Sequence, residues 1–282
     1  MRLFFMPELP EVELVTRFLN QLAAGRRIKS ATLLRERLAP NSTPKQFAKM
    51  LSGSSINFVH RRGKHILFDL DNGNTLLTHL RMTGRFMLID GEQAYPKFTH
   101  ASLELDRDQH LIFQDQRHFG FMRVAATREV KTLPEIQKLA PEPFHRDFSP
   151  EYLHEVFKRS NRSIKDLLLD QSRVCGLGNI YAAESLFLSG IHPSIRTKKL
   201  SRVRTTLLRK NIIRILREAI AIGSTLNIDP SDSDSAYYGG EYERYWRVYE
   251  REGEPCVTCK SVIRRQIQAG RSSYFCPKCQ KR

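Results

Sequence analysis

Pro7 and Glu8, in Met6-Pro7-Glu8-Leu9-Pro10-Glu11-Val12-Glu13, set a possible amine nucleophile beside a carboxylate. If translation starts at Met6 and that methionine is removed, Pro7 carries a free α-amine. An α-amino group titrates near ~8 and a lysine near ~10.4, so at neutral pH the terminal amine is neutral roughly 100-fold more often. A neutral amine can form a Schiff base with the aldehyde carbon of an opened sugar. Residues 1–5 precede Met6 in this chain. With them retained, the Pro7 nitrogen is an amide and its lone pair is delocalised. The chemistry therefore predicts a start at Pro7, with residues 1–6 an extension. Read alone, the same stretch is a proline-bounded turn before a helix.

The second reactive group is at the other end. Cys256-x2-Cys259 and Cys276-x2-Cys279 are separated by 16 residues. Two such knuckles supply four thiolates to one tetrahedral zinc, and four protein ligands leave no open position. One structural Zn2+ is expected. Between the knuckles, Ser261–Gln268 and Ser272–Phe275 can pair as a hairpin about Ala269-Gly270, with Arg271 at the turn. A guanidinium there can chelate a phosphate. Cys175, the fifth cysteine, reads as a bystander.

The elements between these ends change period once. Val12, Val15, Leu19 and Leu22 recur at helical spacing and Gly25 stops them. From Ile28 to Ala126 the pattern is strands and turns. The clearest signal is a hairpin, His65–Leu70 and Thr75–Leu80, about Asp71-Asn72-Gly73-Asn74. This reads as a β-sandwich flanked by the first helix. Thr127–Phe144, with three prolines, reads as a linker with one short helix. Helices follow at Ser149–Lys158, Ser163–Asp170 and Asn179–Leu188. A longer one carries Val203, Leu207, Leu208, Ile212, Ile215, Leu216, Ala219 and Ile222 on one face. Leu226–Gly240 reads as a mobile loop. The fold class is α+β: an N-terminal β-sandwich with a flanking helix, then a helical domain and a β-hairpin built on cysteines.

Composition points to a polyanionic partner. The 46 Lys and Arg residues exceed the 30 Asp and Glu residues, a net charge of +16. The excess is +7 up to Ala140 and +9 beyond it, so it is spread over both halves. No apolar run approaches ~18 residues, which argues against a membrane span. The opening Met1-Arg2-Leu3-Phe4-Phe5 is too short for a signal peptide. The chain reads as a cytoplasmic monomer, where paired cysteines suggest metal rather than disulfides.

Several turns carry residues suited to nucleic acid. Arg61-Arg62-Gly63-Lys64 places three cations before a strand, which suggests a phosphate track. Gly176-Leu177-Gly178-Asn179-Ile180-Tyr181-Ala182 is a tight turn in which Asn179 suits the helix N-cap, leaving outward amides for a phosphate. Met82 and the Asp115-Gln116-Arg117-His118-Phe119-Gly120 segment put large side chains on turns. An enzyme that removes a base must first take it out of the stack. Met82 and Phe119 can fill the hole, and Arg117 can hydrogen-bond the orphaned base.

Together these segments resemble the formamidopyrimidine-DNA glycosylase/endonuclease VIII family of base-excision repair enzymes. The likeness runs from Pro7 to the C-terminus, and the Glu-Leu-Pro-Glu-Val-Glu start is similar to the formamidopyrimidine branch. It implies a catalytic β-sandwich at 7–126, a linker at 127–148, a helix-two-turn-helix DNA-binding domain at 149–245 and a zinc finger at 246–282. It implies catalytic Pro7, Glu8, Lys64 and Arg271, with Glu11 in support. It implies DNA contacts by Met82, His100, Arg117, Phe119 and Asn179. The partner is double-stranded DNA containing damaged bases, with the protein nucleoid-associated if bacterial.

The implied reaction excises oxidised purines such as 8-oxoguanine and formamidopyrimidines. Pro7 attacks C1′, Glu8 protonates the ring oxygen, and β,δ-elimination follows. Three positions depart from the family's pattern. Phe98 stands where a DNA-contacting histidine is usual, His118 where a second arginine is usual, and a family lysine falls near Ser160. Two rivals remain: an oxidised-pyrimidine glycosylase of endonuclease VIII type, and a DNA-binding protein blocked by residues 1–6.

Overall fold

The computed structural model describes residues 6–224 and 241–281. Residues 1–5 of the expected extension and the expected loop at Leu226–Gly240 lie outside the described residues. The chain divides into two compact units. The first contains Pro7 and Glu11–Gln137, the second Glu8–Pro10, Lys138–Thr225 and Glu241–Arg282.

The first unit carries most of helix α1 (Leu9–Ala23) and then β1 (Ile28–Leu33), α2 (Pro44–Leu51), β2 (Ile56–Arg62), β3 (His65–Leu70) and β4 (Asn74–His79). Next come β5 (Gly84–Asp90), β6 (Thr99–Leu105), β7 (Gln109–Asp115), β8 (Phe121–Ala126) and the short α3 (Pro134–Gln137). The strands form two antiparallel four-stranded sheets, ordered β1-β6-β7-β5 and β2-β3-β4-β8. Their inner faces share one core. Phe68 of one sheet meets Phe86 of the other at 5.3 Å between ring centroids, and Phe86 meets Phe113 at 5.2 Å. Val12, Val15 and Leu19 of α1 join that core. The expected sandwich with its flanking helix is present.

Helix α2 departs from the reading of this interval as strands and turns. Gln46 N donates to Thr43 Oγ1 at 3.3 Å, and Thr43 N donates to Gln46 Oε1 at 2.9 Å. That reciprocal cap, with Pro44 at the first helical position, starts a helix locally. Burial of Phe47 and Leu51 holds it against the core.

The second unit contains α4 (Pro150–Lys158), α5 (Ile164–Leu168), α6 (Asn179–Leu188), α7 (Arg202–Ile222) and the hairpin β9 (Arg264–Gln268) with β10 (Arg271–Phe275). Ser149, Ser163 and Ser201 cap α4, α5 and α7. Helix α6 is buried from Ile180 to Phe187, as suits a helix apolar on nearly every side. Helix α7 buries Leu208, Ile212, Ile215, Leu216 and Ala219 as expected, but Val203 and Leu207 are 79% and 43% exposed. At about 100° per residue Val203 lies about 180° from Ile212, so it never belonged to that face. Thr205 and Asn211 occupy the buried stripe instead.

Candidate active site and metal centre

Glu8 is buried at 3% exposure and has a defined seat. Gly178 N donates to its Oε2 at 2.6 Å, Ile180 N to Oε1 at 2.9 Å, and Tyr181 N to Oε2 at 3.4 Å. A carboxylate thus closes the N-terminal end of α6, where unpaired amides and the helix dipole both favour negative charge. Leu9 N also donates to Gly176 O at 3.0 Å. The turn must be glycine-rich for steric reasons. A Cβ on Gly178 would overlap the Glu8 carboxyl, and one on Gly176, at φ +84°, would overlap Leu9. Pro7 is buried, and the peptide bond keeps it next to Glu8.

This arrangement corrects the reading of Asn179 as the helix N-cap. Gly178, not Asn179, occupies the N-cap position, and the first amides of α6 face Glu8 rather than an outside phosphate. Asn179 is the first helical residue. Its Nδ2 donates to Ser272 O at 3.1 Å and lies 3.4 Å from Tyr249 Oη. Its buried Oδ1 has no hydrogen-bond partner among the described residues.

Lys165, which did not stand out in the sequence, meets the same carbonyl. It is 1% exposed; its Nζ donates to Ser272 O and, at 2.7 Å, to Ser273 Oγ. Burial lowers its pKa to about 8; Asp166 opposes that shift, Arg271 adds to it and Glu8 opposes it. The family lysine sought near Ser160 left this one unexamined. A lysine flanked by Ile164 and Leu167 on a short helix was the available signal. Arg271 opens β10, exposed, directly before the carbonyl that both side chains hold.

Glu184 was also missed. It is fully buried on α6 and accepts from Arg247 N at 3.0 Å, Val248 N at 2.9 Å and Tyr249 N at 3.0 Å. Burial raises its pKa against those three donors and the Arg247 charge. It anchors the segment that leads into the cysteine knuckles.

In the first unit, Arg61 and Lys64, ahead of β3, have different employment. Arg61 Nε donates to Glu13 Oε2 at 2.8 Å and its Nη1 to Gly63 O at 3.1 Å, so its charge is committed inside the unit. Lys64 is 4% exposed in the turn between β2 and β3. Glu11 is buried at 1% exposure.

Met82, Arg117 and Phe119 come together from two turns. Arg117 Nη1 is 2.9 Å from Met82 Sδ, and its guanidinium lies 5.2 Å from the Phe119 ring centroid. Phe119 is 51% exposed. Beneath them Asp115 is fully buried and accepts from Thr83 Oγ1, from Arg117 N at 3.2 Å and from Gly120 N at 2.6 Å. One carboxylate therefore fixes both turns, a role invisible in the sequence.

His100 is 3% exposed beneath the loop, with Nε2 2.9 Å from His118 Nδ1 and the rings stacked at 4.9 Å. Burial first, and His118 second, lower its pKa. Phe98 packs edge-on against His118.

The cysteines converge as the spacing implies. The four Sγ atoms of Cys256, Cys259, Cys276 and Cys279 lie within 4.8 Å of one another, with 3.9 Å between Cys256 and Cys279 and 3.4 Å between Cys259 and Cys276. Zinc–sulfur bonds of about 2.3 Å give tetrahedral edges of about 3.8 Å, so the set fits one closed zinc. Thr258 N and Cys279 N each approach a knuckle sulfur at 3.4 Å. The centre holds one structural zinc. Cys175 is buried outside it. Cys276→Ser should drop zinc from about one equivalent per chain to none and abolish slow amide exchange in β9 and β10, since the finger is too small to fold unclamped. Protected hairpin amides in a metal-free variant would contradict this.

Among the described residues no helix is long and apolar enough to cross a membrane.

Three family models cover the chain: the formamidopyrimidine-DNA glycosylase N-terminal domain at residues 6–122, the H2TH domain of that glycosylase at 139–229, and a zinc finger found in FPG and IleRS at 253–282. The formamidopyrimidine-DNA glycosylase of Bacillus licheniformis is 40% identical over 279 residues, spanning 98% of this chain and 100% of that one. The protein of the same name from a Synechococcus species is 41% identical over 283 residues, spanning 98% and 99%. Among solved structures, Lactococcus lactis Fpg bound to abasic-site DNA matches with a TM-score of 0.90 at 34% identity, over 98% of this chain and 100% of that one. The same Lactococcus protein bound to DNA with an oxidized pyrimidine matches at 0.89 and 34%, over the same shares.

Proposed function

This chain belongs to the formamidopyrimidine-DNA glycosylase family, and from that premise we propose how its residues carry the reaction. The protein is a DNA glycosylase that acts on double-stranded DNA containing damaged bases. Its substrates are oxidised purines, 8-oxoguanine and formamidopyrimidines, and it works in the cytoplasm on nucleoid DNA.

Pro7, with its amine free, attacks C1′ of the extruded nucleotide, and the bond from C1′ to the base breaks. The Glu8 carboxylate takes the proton that Pro7 loses on bonding to C1′ and passes it to the sugar ring oxygen as the ring opens and the imine forms. The imine then accepts the electrons of β-elimination, δ-elimination frees the second phosphate, and water hydrolyses the imine to release the sugar remnant from Pro7. The observation that carries this reading is the seat of Glu8. Three amides hold its carboxylate in one orientation, and the chain itself keeps Pro7 beside it. Fixed orientation of a proton-transfer group is worth orders of magnitude in rate.

Lys64, Arg271 and Asn179 serve the phosphates on either side of the lesion. Arg271 is exposed for this, while Asn179 reaches a phosphate by turning its Nδ2, the one donor group of its side chain, away from Ser272 O. Met82 and Phe119 fill the vacated stack while Arg117 addresses the orphaned base. The wedge acts only on the extruded state. Met82→Ala and Phe119→Ala should therefore slow single-turnover excision by ~10-fold or more and change undamaged-DNA affinity less than threefold. Equal losses on both would make them packing residues.

The reading is tested on a panel of duplexes carrying 8-oxoguanine, formamidopyrimidine or an oxidised pyrimidine. Faster excision of the purine lesions supports it. Preference for the pyrimidine lesion returns the endonuclease VIII alternative, and binding without excision returns the blocked DNA-binding protein.

A further inference from the structure

We propose that His79 is a positioning residue for base excision: its imidazole holds the turn that carries Met82 in the conformation that fills the vacated stack. The inference rests on the reading of Met82 as the wedge.

His79 ends β4 and is 9% exposed. Its Nδ1 accepts the backbone N–H of Arg81 at 3.0 Å. Arg81 has φ +56°, the left-handed region that a residue with a Cβ enters only when something holds it there. The imidazole supplies that hold. It plays the part an Asn or Asp side chain plays when it bonds the backbone two residues on. Gly84 N donates to Leu80 O at 3.0 Å and closes the turn around Met82. On the far side Thr83 bonds to Asp115, and Arg117 N donates to Thr83 Oγ1 at 3.0 Å. The turn is thus pinned at both ends, by His79 and by the carboxylate that also sets the Arg117 loop.

His79 is itself braced. It pairs with His65 across the β3–β4 ladder, and the two rings meet edge to face at 4.7 Å. Acceptance by Nδ1 requires the neutral ring with its proton on Nε2, a tautomer assigned from this contact. Burial first, then His65, Arg81 and Lys64, hold His79 well below the usual imidazole range, so the lone pair stays available. His65 follows Lys64 directly, and burial lowers its pKa to about 4. The histidine pair therefore joins the Lys64 turn to the Met82 turn inside one sheet.

The test compares three variants by single-turnover excision from an 8-oxoguanine duplex, affinity for undamaged duplex, and thermal midpoint. Asn places its Oδ1 close to where His places Nδ1, so His79→Asn keeps the acceptor and loses the ring. His79→Phe keeps ring volume and loses the acceptor. His79→Gln moves the acceptor outward and stands in if the Phe variant fails to fold. The expected result is excision slowed ~10-fold or more by His79→Phe, rescue to within ~3-fold of the parent by His79→Asn, and undamaged-DNA affinity within ~2-fold throughout. In a Met82→Ala background, His79→Phe should add nothing. Parental excision by His79→Phe, or a full penalty persisting without Met82, overturns the positioning role. A parent chain beginning at Pro7 that excises no lesion at all would instead sink the functional reading on which it rests.

Discussion

A chain that begins at Pro7 is expected to form a borohydride-stable adduct with an 8-oxoguanine duplex, and the same chain retaining residues 1–6 to form none. The difference is electronic, not steric. With Met6 attached, the proline nitrogen is a tertiary amide, and its lone pair is shared with the carbonyl. No placement restores its nucleophilicity. Released, it is a secondary amine whose α-amino pKa near ~8 leaves a usable neutral fraction at pH 7. The strongest rival amine is Lys165, lowered to about 8 by burial. Its Nζ already donates to Ser272 O and Ser273 Oγ, and it is 1% exposed. Trapping by the two forms of the chain, with Lys165→Met in each, is read on a denaturing gel. An adduct from the extended chain that vanishes in Lys165→Met would move the nucleophile to that lysine.

The second large effect comes from one added methyl. Gly178→Ala should lower single-turnover excision by ~100-fold or more. The new Cβ would overlap the Glu8 carboxyl carbon and Oε1 and lie 2.7 Å from its Cγ. The carboxylate must leave its seat, and three amides at the mouth of α6 lose their acceptor. Misplacing a catalytic group by about 1 Å costs on the order of 100-fold. The unpaired buried amides add a stability cost of about 1–3 kcal/mol. Excision by Gly178→Ala within threefold of the parent, with an intact fold, would show that the Glu8 seat is irrelevant to the reaction.

What the sequence revealed about this molecule follows the range of the interactions. The β3–β4 hairpin was legible because its turn residues and its strands are contiguous. The zinc centre was legible because two knuckles impose spacing. Helix α2 was equally local, since Thr43-Pro44-Lys45-Gln46 spells a reciprocal cap, but it was lost inside an interval dominated by strand patterns. Asn179 shows the opposite failure. Local propensity favours it as an N-cap, yet Glu8, 170 residues away from Gly178, supplies the stronger acceptor. No local pattern encodes that contact. Asp115 and Glu184 were hidden in the same way, because each looks like an ordinary surface acid until the loops it fastens are seen. Lys165 was passed over because a lysine on a short helix usually faces water.

The Glu8 seat also has a schedule. Its donors, Gly178 and Ile180, come 170 and 172 positions later in the chain. At roughly 5–20 residues per second of synthesis, the ribosome needs about 10–30 seconds to make them. Throughout that interval Glu8 lacks these amide donors. Closing so long a loop places this contact among the late events of folding, so the carboxylate takes up its orientation only after the first sheets can pair.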